Sequence, residues 1–342
     1  MIRDLENNII NLRDGASGHR LLLGETGSGK TWFCYRMLED ALAQDKTCLI
    51  FDYSGSFTDK EMKKGDFQRS EQVYSVAEET GNGEFLYVGR QFYSIMAEAL
   101  TKTLSITAYR QKRLLNEALH SLEKRNASVT IAGIMEELET SVQLTNKDAE
   151  RHRDQLLNKL SGYAGINFIF KEASQKAEDV KTLCKPITII QLSGHKDSER
   201  CFLADLMTKL VWQEIKEGTY HIDCIVYDEF QWMSLKKRST LSEMLREGRK
   251  CDLGVWLASQ FLPEGKKDEK NTLLQASSVF IFSLSEPSQP EAAKIIEYGA
   301  WKEWVDILFN LGEGQFVLKG NYTVNNGITV GTKPIICKAE LK

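Results

Sequence analysis

Residues 21–31 read "LLLGETGSGKT". Three leucines run straight into a glycine-rich loop that a lysine and a threonine close. The loop fits the spacing G-x-x-x-x-G-K-[ST], with Gly24, Gly29, Lys30 and Thr31 at its fixed positions. Glycines let successive backbone N–H groups curl around a phosphate. The N-terminus of a following helix then points its dipole at the anion. Residues 24–32 are therefore the candidate nucleotide-binding segment: Gly24, Glu25, Thr26, Gly27, Ser28, Gly29, Lys30, Thr31 and Trp32. In this reading Lys30 reaches the β- and γ-phosphates, and the Thr31 hydroxyl is a candidate ligand for Mg²⁺.

The flanks support it. "HRLLLG" (19–24) reads as a short buried strand, and "KTWFCYRMLEDALAQ" (30–44) spaces Trp32, Phe33, Met37, Leu38, Ala41 and Leu42 as a helix does. Strand, glycine loop, helix is the order the chemistry requires. Further strands are predicted at 47–53, 84–89, 186–193, 223–229, 253–259, 278–284, 314–320 and 333–339. Several are near-continuous apolar runs, as in strands buried on both faces. The fold class is therefore α/β, with a mainly parallel central sheet. The last two lie near glycine clusters and are expected to form an antiparallel edge.

Residues 92–182 read as helices, apart from "INFIF" (166–170) as a candidate strand, and Ser128 to Ile131 open one helix with capping residues. No Pro/Gly/Ser-rich linker bounds this stretch. The expectation is one α/β domain over 1–342 with a helical insertion at 92–182.

"HIDCIVYDEFQWM" places Asp228 and Glu229 at the end of an apolar strand. A phosphate-binding loop needs a second element that holds the metal and polarises water. Asp228 suits the metal, and Glu229 suits a general base. An acidic pair after a strand is also a common solvated turn; the glycine loop gives the pair its functional reading.

Composition sets bounds. The chain has 342 residues, 42% hydrophobic and 27% charged, with a net charge of −4. A protein that simply coats DNA would be strongly basic; contact through a few loops at a ring centre remains compatible. No run of eighteen apolar residues or signal-peptide core occurs, so a cytoplasmic protein is expected. The seven cysteines lack a C-x-x-C and read as small buried hydrophobes, and the five histidines show no metal-ligand spacing.

Taken in order, "GETGSGKT", "IFDYSGSF", "ITIIQLSG", "CIVYDEFQWM", "LREGRKCDLGVWLASQ" and "GEGQFVLKG" resemble the HerA–FtsK superfamily of P-loop ATPases, in its HerA-type (DUF87) branch. The resemblance implies a RecA-like core, ATP as the nucleotide with Mg²⁺, a homo-hexameric ring and a nucleic-acid substrate, most simply double-stranded DNA. No N-K-x-D guanine motif follows, in keeping with ATP. By position it carries the polar γ-phosphate sensor onto Gln260. It carries the arginine offered to a neighbouring subunit's nucleotide onto Arg249, with Arg246 and Lys250 as rivals. Asp52 in "FDYSGSF" either assists the metal or caps its turn; the turn is the expectation. Only residues 1–23 precede Gly24, where HerA relatives carry a β-barrel, so the chain reads as a bare motor.

For DNA contact the candidates are "SLKKRST" (234–240) and "PEGKKDEKN" (263–271), through Lys236, Lys237, Arg238, Lys266 and Lys267. A solvated charge run is the equal alternative. "YRQKR" (109–113) reads as a solvated helix face, and Trp301 with Trp304 as packing residues. Two other functions fit the same motor. One is an ATPase that regulates or scaffolds a partner effector such as a nuclease; the other is a secretion-type ATPase with protein cargo.

Overall fold

The computed structural model describes residues 2–13, 18–64, 67, 73–75, 83–87, 91–140, 146–172, 186–236, 239–260, 262, 267–327 and 330–339. The chain divides into two compact units, Met1–Gln72 with Ile222–Lys342, and Val73–His221.

The first unit opens with β1 (Ile2–Asp4) and β2 (Ile9–Leu12), a hairpin whose turn has Asn7 at φ 70°. β3 (Arg20–Leu23) follows, then α1 (Lys30–Leu42), β4 (Cys48–Asp52) and α2 (Asp59–Lys64). The second unit comprises β5 (Val73–Ser75), β6 (Gly83–Tyr87), α3 (Phe92–Thr103), α4 (Tyr109–Lys124), α5 (Ile131–Thr140), α6 (Lys147–Ser161), β7 (Phe168–Glu172), β8 (Ile187–Gln191) and α7 (Asp197–Glu217). The chain then returns to the first unit with β9 (Cys224–Tyr227), α8 (Thr240–Glu247), β10 (Gly254–Ser259), α9 (Lys267–Leu273) and β11 (Ser278–Ile281). It ends with α10 (Gln289–Ile296), α11 (Trp301–Phe309), β12 (Gln315–Gly320), β13 (Tyr322–Val324), β14 (Val330–Gly331) and β15 (Ile335–Ala339).

In the first unit the strands run β14-β13-β2-β1-β15-β12-β11-β3-β10-β9-β4. From β4 to β11 the neighbours are parallel, with Leu22 beside both Ala258 and Phe280, and Ile225 beside both Val255 and Leu49. β4, β9, β10 and β11 are buried at every position, which is why their sequences do not alternate. α1 covers one face: Phe33 packs 5.0 Å from Phe280 and 4.9 Å from Phe316, ring to ring. From β12 onward the pairing is antiparallel.

All eight strands predicted from apolar runs are present. β12 and β15 are antiparallel as expected, but they are interior strands rather than an edge, because β1, β2, β13 and β14 extend the sheet beyond them. Those four strands are two to four residues long, too short for an alternating pattern to register.

In the second unit α4 buries Leu114, Leu115, Ala118, Leu119 and Leu122 at helical spacing. Thr130 Oγ1 accepts from Gly133 N at 2.9 Å and caps α5, and Asn146 Oδ1 accepts from Ala149 N to cap α6. "INFIF" does yield a strand, β7, parallel to β6. Of "YRQKR", Tyr109, Arg110 and Arg113 are exposed, with Arg113 paired to Glu117, but Gln111 is buried and donates to Gln155 Oε1 at 3.0 Å, so the stretch is only partly a solvated face.

Candidate functional site

Five parallel strands end on the same side of the first unit, and each delivers polar groups there. β3 leads into the glycine loop, β10 into Gln260, β9 into Asp228 and Glu229, β4 into Asp52 and Ser54, and β11 into Ser283. Ligands of open α/β sheets bind at this carboxyl edge.

The loop itself has the conformation the spacing demands. Gly27 (φ 83°) and Gly29 (φ 96°) are left-handed, a region that side chains disfavour. A Cβ on Gly24 would meet Ser28 Oγ at 2.6 Å and Phe282 Cβ at 2.7 Å. Gly24 N donates to Ser259 O, and Glu25 N to Ser283 O, so two neighbouring strands pin the loop's start. α1 begins at Lys30 with no side-chain cap on Gly29, and its first amides lack intrahelical acceptors by construction. Ser28 Oγ is buried without a partner. Together these form a cradle of donors at a helix N-terminus, the arrangement that fits a phosphate group. At the loop's far side Gly314 N donates to Ser28 O at 3.1 Å, and a Cβ on Gly29 would sit 3.1 Å from Gly314 Cα.

The predicted residues converge around Glu229. Its Oε1 lies 3.7 Å from Lys30 Nζ and accepts from Gln260 Nε2 at 2.9 Å. Gln260 Oε1 in turn accepts from Thr26 Oγ1 at 3.1 Å. A hydrogen-bonded path thus joins the loop to the carboxylate through Gln260. Glu229 is left-handed (φ 56°, ψ 49°), a strained conformation for a residue with a side chain. Lys30 and Glu229 are both buried.

Asp228 accepts from Ser54 Oγ. Burial pushes its carboxyl up to about 7, with the charges of Asp52 and Glu229 adding to the effect, while the Ser54 hydroxyl and Lys30 oppose it. A bound cation would relieve that penalty. Among the described residues no cluster of three or more His, Cys, Asp and Glu side chains is arranged to hold a metal alone. The oxygen donors fit Mg²⁺ brought in with phosphates: Thr31 and Asp228 would hold it, and it would neutralise charge on the transferred phosphoryl group.

Asp52 behaves as the turn reading expects. It is fully buried, and its two oxygens accept from Gly55 N (2.9 Å) and Phe57 N (2.8 Å). Trp32 lies on the first turn of α1 under the Arg36 guanidinium, 4.3 Å from its ring centroid.

Other predicted residues lie away from this group. Arg249 is exposed on the 3₁₀ turn Gly248–Cys251, which leads into the amino end of β10. Gln260 follows the opposite end of that six-residue strand, roughly 20 Å away at 3.3 Å per residue. Lys250 pairs with Glu247 at 3.2 Å. Of the candidate DNA-contacting residues, Lys236 is exposed, Lys267 opens α9, and Lys237, Arg238 and Lys266 lie outside the described residues. Among the described residues no helix is long and apolar enough to cross a membrane.

Two site residues were not legible in the sequence. Ser54 reaches Asp228, and Gln231 Nε2 donates to Glu229 Oε2 at 2.6 Å. The only hint was position, each falling two residues after an acid, Asp52 or Glu229, that ends a strand.

Comparison with known proteins agrees. The family described as helicase HerA, central domain, matches residues 9–211, more than half of the chain. No curated protein matches. Among solved structures, VirB4 of Thermoanaerobacter pseudethanolicus has a TM-score of 0.68 at 12% identity, over 99% of this chain and 95% of that one. The bacterial conjugative coupling protein TrwB, unbound, has a TM-score of 0.65 at 14% identity, over 95% and 85%. TrwB with ADP and Mg²⁺ has 0.63 at 14%, over 96% and 86%. At such identities these likenesses establish the fold. With the phosphate cradle and the carboxylates that face it, they lead to one assignment: the chain belongs to the HerA-type (DUF87) family and is a P-loop ATPase of the RecA-like fold.

Proposed function

We propose that this ATPase is the motor subunit of a homo-hexameric ring that translocates double-stranded DNA in the cytoplasm. The observation that carries the reading is the hydrogen-bonded path from Thr26 through Gln260 to Glu229, set in a chain of a helicase family. In the proposed cycle Lys30 binds the β- and γ-phosphates of ATP, and Thr31 and Asp228 hold Mg²⁺. Glu229 takes a proton from the attacking water, and Gln260 senses the γ-phosphate. TrwB, of like fold, is solved with a non-hydrolysable ATP analogue and with ADP and Mg²⁺, which supports that ligand set. Arg249, at the far end of β10 from its own loop, is assigned to a neighbour's nucleotide, where a guanidinium stabilises transition-state charge. Lys236 contacts DNA phosphates.

The test is ATP turnover with and without duplex DNA, beside particle sizing with nucleotide. The expected result is a hexamer whose turnover rises severalfold on DNA. Indifference to DNA, with co-purification of a nuclease or other effector, would replace this reading by the scaffold one. Mixing Arg249→Ala with Glu229→Gln subunits should restore part of the activity; no rescue at any ratio removes Arg249 from the interface.

A further inference from the structure

Glu229 is held from two sides. Lys30 and Gln260, both anticipated from the sequence, address Oε1. Oε2 accepts from Gln231 Nε2 at 2.6 Å, a short bond to a charged acceptor. The carboxylate partner fixes which way the amide faces, because only its NH₂ end can donate. Gln231 sits on the 3₁₀ turn Phe230–Trp232 that follows the left-handed Glu229, so its backbone position depends on the same strained residue.

The other end of this amide is informative. Gln231 Oε1 is buried and has no hydrogen-bond partner. A buried acceptor left unsatisfied costs stability. The side chain therefore satisfies only one of its polar ends, and that end meets the carboxylate. A residue placed for packing alone would do better without the amide.

We infer that Gln231 is a positioning residue for ATP hydrolysis, whose N–H fixes the Glu229 carboxylate in the orientation from which it acts on water. The inference rests on the reading of Glu229 as the general base. Without Gln231 the carboxylate keeps its Oε1 partners but rotates about them. Binding of the triphosphate, which falls to Lys30 and the loop, is unaffected.

The experiment uses the full chain with Gln231→Met, which keeps the length and lacks the donor, and Gln231→Glu, which keeps the shape and replaces the donor by an acceptor. Steady-state ATP turnover is measured beside the affinity of a fluorescent ATP analogue. The expected result is a fall in kcat of about tenfold to a hundredfold for both variants, the loss of one hydrogen bond to a charged group, with KM and analogue affinity within twofold of wild type. Retained affinity shows that a variant is folded. Unchanged kcat in either folded variant overturns the inference, as does a loss of affinity in step with kcat. Glu229→Gln in the same assay separates the two readings. If it turns over normally, the base assignment falls and this inference with it. If it is inactive while Gln231→Met is normal, only the inference falls.

Discussion

The two ends of the same parallel strands are built on opposite terms. At their amino ends several polar groups close on one another, although Ser278 Oγ at the start of β11 is buried without a partner. His19 Nδ1 accepts from Val255 N at 3.0 Å while the ring bonds the Leu245 backbone, so the neutral imidazole ties the entry of β3 to β10 and α8. Asp223 accepts from both Thr47 N and Thr47 Oγ1, and the Cys48 and Cys224 side chains face each other across register. At the carboxyl ends the groups are strained, charged or unsatisfied: Glu229 is left-handed, Asp228 carries a raised pKa, and Ser28 Oγ and Gln231 Oε1 lack partners. One end spends its hydrogen bonds on holding the sheet. The other gathers its strained residue and its charged carboxylates beside the phosphate cradle, as binding sites do and cores do not.

This contrast breaks most readily at the carboxyl end. Glu229→Gln should lower ATP turnover by on the order of 10³-fold while still trapping nucleotide. Lys30→Ala should lose both turnover and binding. Filter binding with labelled ATP distinguishes them, and nucleotide retention by Lys30→Ala would show that the loop is not the phosphate cradle.

The next largest effect concerns the amino end. Burial drives the His19 pKa from 6.5 down to about 4. Below pH 6.5 the unfolded chain takes up a proton that the folded chain refuses, so stability is whole above that pH and drains as pH falls towards 4. The difference amounts to about 3 kcal/mol. Urea unfolding of wild type and His19→Asn across this window should show a steeper pH dependence in wild type; equal slopes would mean that His19 is not held neutral.

Asp52 should give the smallest effect, because it belongs to both ends' logic. Asp52→Ala removes the acceptors of Gly55 N and Phe57 N and should cost about 1–3 kcal/mol of stability. It also removes a charge that raises Asp228, so the Asp228 carboxyl should titrate below about 7. Carboxyl carbon NMR would read the shift, and an unmoved titration would show that burial alone sets it.

Much of this was legible before any coordinates. The phosphate loop announces itself because glycine spacing, a buried strand and an apolar-striped helix coincide at residues 19–44. The parallel strands show because burial on both faces leaves an unbroken apolar run, as in "CIVY". The outer antiparallel strands were not legible. Ile9–Leu12 and Tyr322–Val324 are very short, and their pairing joins residues more than three hundred apart. Ser54 was hidden because its direction is set across strands, through Asp228 after β9, and Gln231 because the turn that aims it back at Glu229 follows a left-handed residue that no sequence signal marks.

Gly314 meets two partners at once, since its N–H bonds Ser28 O and its carbonyl accepts from Ala339 N at 3.0 Å. The peptide on either side of this one residue therefore rivets the phosphate loop to β15 and the antiparallel half of the sheet. Breaking either bond at this one residue would uncouple the phosphate loop from β15.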